Sequence, residues 1–79
     1  MTCRIKFNCT DDVSYFVSEC NRLAGDVNVH VGHIAVDGKS ILGMSALGIE
    51  HMLNAELLST IAEDIEIFIK LTKKFAIHD

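Results

Sequence analysis

"DGKSILGMSALGI", residues 37–49, decides how the chain is read. Asp37-Gly38 is a turn pair, Ser40 stands where a helix wants a capping hydroxyl, and Ile41, Met44 and Leu47 follow at threefold spacing before Gly48. The pattern predicts the end of a strand, a tight turn and a short helix closed by glycine. A helix of about two turns cannot direct Ile41, Leu42, Met44 and Leu47 all inward, so one or two of them are expected at the surface.

Upstream of this stretch, Val27, Val29 and Val31 alternate with Asn28, His30 and Gly32, and the apolar set resumes at Ile34 and Val36. That change of parity predicts a turn at Gly32-His33 between two antiparallel strands. Further back, Val13, Phe16, Val17, Cys20, Leu23 and Ala24 are spaced for an amphipathic helix from Asp11 to Ala24. Thr10 is its expected cap, Asp11 and Asp12 suit its positive end, and Gly25 is its expected left-handed stop. Residues 4–8, RIKFN, predict a short strand with Ile5 and Phe7 on one face.

Downstream, residues 55–61, AELLSTI, are the best place for a fourth strand. Thr60-Ile61-Ala62-Glu63 has the form of a capping box. The helix it would open, about 62–76, presents Ile65, Phe68, Ile69, Thr72 and Phe75 as its inward face, leaving Ile67 and Leu71 to cover a sheet edge or form a contact surface. The resulting order βαββαβα is met with short connections by an α+β fold, a four-stranded antiparallel sheet with three helices on one face.

Composition agrees. Seventy-nine residues make one domain, expected over 1–79, near the lower size limit for a core without disulfides or metal. With 49% apolar residues, no Trp and five aromatics (four Phe, one Tyr), the core must be mostly Ile, Leu and Val. The net charge of -4 and the absence of a basic cluster beyond Lys73-Lys74 argue against nucleic acid or an anionic membrane as partner. Three cysteines, Cys3, Cys9 and Cys20, have neither C-x-x-C nor zinc spacing, so reduced thiols and a cytoplasmic location are expected.

The element order and the segment "KSILGMSALGI", 39–49, together resemble HPr, the phosphocarrier protein family of the bacterial sugar phosphotransferase system. The segment is similar to that family's regulatory-serine stretch, and "FVSECNRLAGDVNV", 16–29, falls in register with its first helix and second strand. The resemblance covers nearly the whole chain and implies an HPr-like open-faced β-sandwich. In HPr a histidine in a G-[IL]-H-x-R-P-A loop carries the phosphoryl group. Here that motif is missing: its histidine place falls on Cys9, its arginine and proline places fall on Asp11 and Asp12, and no His precedes residue 30.

A phosphoryl group at a helix start is held by free N–H groups, the helix dipole and a neighbouring cation, whereas two carboxylates repel it. Phosphotransfer by the usual histidine is therefore not expected, and neither is enzymatic activity or a cofactor. Cys9 remains the alternative acceptor, as a thiophosphate.

Ser40 has two compatible readings. It caps the short helix, and the resemblance makes it the serine phosphorylated by an HPr-kinase-like enzyme, in a protein with the profile of catabolite-repression HPr. The implied role is regulatory, with a transcriptional regulator or phosphotransferase-system components as partners and a docking surface of Lys39, Ile41, Leu42, Met44, Leu47 and His51. A structural or interaction domain without a link to sugar uptake is the third reading, and under any of them the chain is expected to be a monomer or a weak dimer. His30 and His33 have a metal-compatible spacing, but no third ligand is evident in the sequence and no metal site is expected.

Overall fold

Residues 1–77 are described by the structure, a computed structural model. Seven elements follow in the expected order: β1 (Thr2–Ile5), α1 (Thr10–Cys20), β2 (Val27–Val31), β3 (Ile34–Asp37), α2 (Ile41–Leu47), β4 (Leu53–Leu57) and α3 (Ala62–Lys73). The strands form one sheet in the order β1-β4-β2-β3, with every neighbouring pair antiparallel.

Strand alternation selects the covered face. Ile5, Val27, Val29, Leu53, Ala55 and Leu57 are buried, and on the helices Phe16, Cys20, Met44 and Phe68 complete the core above them. The residues between them in the strands, Arg4, Asn28, His30, Asn54 and Glu56, line the opposite, open face. There His30 Nε2 stands 4.0 Å from Glu56 Oε1.

The β2–β3 hairpin turns through Gly32 at φ 58, with Val31 and Ile34 as the closing pair. Positive φ at the first of two central residues is what a right-twisted hairpin requires, and it explains the parity change.

Several boundaries differ from the sequence expectation. β1 ends at Ile5, so Phe7 is buried from beyond the strand rather than within it. β4 spans Leu53–Leu57, not 55–61, because Leu53, Ala55 and Leu57 alternate inward while Leu58 is exposed. The first helix starts at Thr10 with Cys9 as N-cap and no side-chain cap, so Thr10 is not the capping residue. Asp12 Oδ2 instead accepts the N–H of Asn8, just ahead of the helix, at 3.0 Å.

Helix α1 ends at Cys20, well before Gly25. Gly25 is not left-handed, since among the described residues only Gly32 and Gly48 have positive φ. Its glycine serves close approach: a Cβ there would fall 2.4 Å from Ser59 Cβ.

Helix α3 also departs from expectation. Ile61 is its N-cap without a side-chain bond, so the Thr60–Glu63 box does not form, and Ser59 Oγ accepts from Ile61 N–H instead. Its buried face is Asp64, Phe68, Leu71 and Thr72, whereas Ile69 is 40% exposed. The inward stripe is therefore rotated toward Leu71.

Candidate functional site

Ser40 is the N-cap of α2, extended at φ -100, ψ 113, and its Oγ accepts the Gly43 N–H at 3.2 Å. The turn before it is doubly fixed: Asp37 Oδ1 accepts the Lys39 N–H at 2.9 Å and the Asp37 carbonyl accepts the Ser40 N–H at 3.0 Å. Such Asx geometry presets the approach to the helix and leaves the half-buried serine on a rigid corner.

Lys39 neighbours Ser40 in sequence, but its ammonium turns away to donate to the Leu23 carbonyl at 2.8 Å. Asn21 Nδ2 donates to the Lys39 carbonyl at 3.1 Å and to the Val17 carbonyl at 2.8 Å, tying the same corner to the end of α1.

Of the expected docking residues, Leu42 is 83% exposed and Ile41 45% exposed, while His51 also faces solvent. Met44 does not reach that surface, and Leu47 reaches it only where it lines the concavity shared with Ile41 and His51. Both are buried, at 0% and 7%, because the threefold spacing that makes the helix amphipathic points them into the core. Ile41 and His51 meet across a concave surface of about 410 Å³, whose far wall is Thr10, Val13 and Ser14 of α1. The α1 wall was not foreseeable from the sequence, since nothing local marks two helices as neighbours.

At the start of α1, Cys9 is exposed at the N-cap. Asp11 and Asp12 share a shallow depression with Asn8, Tyr15, Lys74 and Phe75. The one cation in that lining, Lys74, holds its ammonium over the Tyr15 ring, 5.1 Å from the centroid. The helix mouth is thus bordered by two carboxylates, one of them already engaged with the Asn8 amide.

His30 pairs across the open face with Glu56, and among the described residues no three His, Cys, Asp or Glu side chains converge as metal ligands. No helix of the described residues is long and apolar enough to cross a membrane.

Sequence reasoning missed Asp64. This buried carboxylate, in the first turn of α3, accepts the N–H groups of Ala24 at 3.1 Å and Gly25 at 2.9 Å. The Ser59 hydroxyl, followed by those amides and the charge of Lys39, holds its carboxyl below the ordinary value of 3.8, against the opposing pull of burial. Its sequence signal, an acid at a helix start, is the same as that of a solvated dipole partner.

This architecture has close geometric counterparts. The crystal structure of the phosphocarrier protein HPr from Bacillus anthracis superposes with a TM-score of 0.75 over 95% of each chain, at 23% identity. HPr-C-His from Thermoanaerobacter tengcongensis gives 0.73 at 20% identity, covering 94% of this chain and 90% of that one. The fold is HPr-like. No protein-family model matches the sequence, and no curated protein matches it.

Proposed function

We propose that the protein is a non-catalytic regulatory adaptor related to the phosphotransferase system, switched by phosphorylation at Ser40. The carrying observation is the position of Ser40 on an HPr-like fold, at the rigid corner of α2 with exposed Ile41 and Leu42 immediately after it. An HPr-kinase-like enzyme would transfer the γ-phosphoryl group of ATP to Oγ, the hydroxyl proton leaving as ADP forms. The phosphate adds close to two negative charges beside the Ile41, Leu42 and His51 surface, where a transcriptional regulator or a phosphotransferase-system protein would read them. The corner is already fixed by Asp37 and Asn21, so the added charge alters the surface more than the fold.

The acidic border of α1 supports the absence of a phosphorelay. Asp11 and Asp12 stand where a transferred dianion would need donors and a cation. Incubation with an HPr kinase and ATP, followed by intact-mass measurement and peptide mapping, tests the switch. One phosphate on Ser40, absent in Ser40→Ala, is expected, and no mass gain overturns it. Label transfer from phosphoenolpyruvate through the upstream enzyme, lost in Cys9→Ser, would establish the thiol carrier instead.

A further inference from the structure

The two edges of the sheet are treated differently. At β1, the segment after α3 runs alongside: the Lys6 N–H donates to the Phe75 carbonyl at 3.0 Å, the Ile77 N–H donates to the Arg4 carbonyl at 3.1 Å, and Ile5 bridges Ala76. At β3, no strand of the described residues lies outside Ile34–Asp37. This edge carries no lysine, proline or bulge, and its guards are only its short length and Asp37 at its end. Ile34 is 57% exposed there.

The backbone direction at this edge is set by the hairpin. Val31 and Ile34 close a two-residue loop and so form a hydrogen-bonded pair, as do Val29 and Val36. The N–H and C=O of Ala35, between them, therefore point away from β2.

We propose that the β3 edge recognises a second copy of this chain, the two strands pairing antiparallel about a two-fold axis at Ala35. The sequence is self-complementary in that register. Ala35 exchanges both hydrogen bonds with its own mate, Ile34 faces the second copy's Val36 on the helix side, and His33, the turn residue just before β3, comes beside the second copy's Asp37, whose Oδ1 also accepts the Lys39 N–H. An imidazole opposite a carboxylate is favourable as a hydrogen bond when neutral and as an ion pair when protonated. Ala35 is small and adds little bulk on the open side.

The axis stands normal to the sheet, which becomes eight-stranded with both helical layers on one side. Helix α2 rests on β3 through Gly43 against Val36, where an added Cβ would sit 3.2 Å from Val36 Cβ. In the pair, the two Val36 positions are offset by two residues and one strand spacing, about 8 Å, within the range at which helices pack. An edge this short buries a small interface, so the dimer is weak, with Kd of roughly 0.1–1 mM.

Cross-linking tests the register. In a Cys3→Ala, Cys9→Ser background, Ala35→Cys places two thiols on residues about 5.5 Å apart between Cα atoms, within disulfide reach. Ile34→Cys places them about 8 Å apart, beyond it. A covalent dimer on mild oxidation for Ala35→Cys but not Ile34→Cys is expected.

Sedimentation equilibrium to millimolar concentration supplies the second measurement. Wild type should show reversible dimerisation, Ala35→Pro should abolish it with the β2 ladder intact, and His33→Asp should weaken it at least tenfold by facing Asp37 with like charge. A wild-type mass that stays monomeric, or a dimer unaffected by Ala35→Pro and His33→Asp, overturns the proposal.

Discussion

Asp64 ties two loops to α3 through one carboxylate, taking the Ala24 and Gly25 amides and the Ser59 hydroxyl. Replacing it with Asn keeps the shape but offers one acceptor oxygen and introduces two donors where donors already converge. Asp64→Asn is expected to lower the melting temperature by several degrees at pH 7. The carboxyl is held below its ordinary value of 3.8, so the unfolded chain takes up its proton first as pH falls, and the stabilisation present above that value is lost on acidification. Melts from pH 7 to 2 should therefore show the gap between wild type and variant closing in the acid range. A constant gap would assign the effect to packing rather than charge.

Cys20 carries the opposite sign. Burial, moderated by Lys39, pushes its thiol from 9.0 up to about 12, so between those values the unfolded chain has released a proton that the folded chain retains. Stability is lost as pH rises through that window. Urea midpoints for wild type should fall more steeply above pH 9 than those of Cys20→Ala, although the variant starts lower because of its cavity.

Among the elements, α3 separates what the sequence shows from what only packing decides. Its existence, start and polarity were legible from Glu63 and Asp64 at one end and Lys70 and Lys73 at the other, although it stops at Lys73 rather than near residue 76. Its rotation was not. The face read from the sequence took in Ile69 and Thr72 but not Asp64, whereas the observed face includes Asp64 as well as Thr72, whose polar atoms are satisfied by the Ala24 and Gly25 amides and by the Phe68 carbonyl at 2.9 Å. Once two polar residues can be buried with partners, the stripe turns toward Leu71.

Leu71→Ala should accordingly cost about 2–5 kcal/mol in denaturant unfolding. Ile69→Ala should cost less than about 1 kcal/mol. The reverse ranking would contradict the observed face. The turn and cap at Asp37 to Gly48 were legible for the complementary reason, since Asx turns, serine caps and glycine stops act within a few residues. The concave surface between α1 and α2, by contrast, joins residues roughly thirty to forty positions apart.

For the whole molecule, the C-terminal end is the part that both completes the core and guards the sheet. Phe75 packs edge-on against Phe7 at 5.1 Å and Phe16 at 6.3 Å between centroids, drawing the following residues alongside β1. Ring contact and edge pairing are therefore one cooperative unit: without the ring, residues 75–77 have only a few exposed backbone bonds to hold them. Phe75→Ala, at a half-buried position, should lower global stability by about 2 kcal/mol, below the range for fully buried aromatics.

The amides of Lys6 and Ile77 report the local part of that change. In hydrogen exchange, both should lose protection by more than the central Val29 amide of β2, whose exchange follows global unfolding. The uncovered β1 edge should then raise self-association of the variant at high concentration, with a dependence unlike that of β3 pairing because Ala35→Pro would not suppress it. Uniform loss of protection across Lys6, Ile77 and Val29 would show that the end of the chain is part of the global unit rather than a separately docked guard.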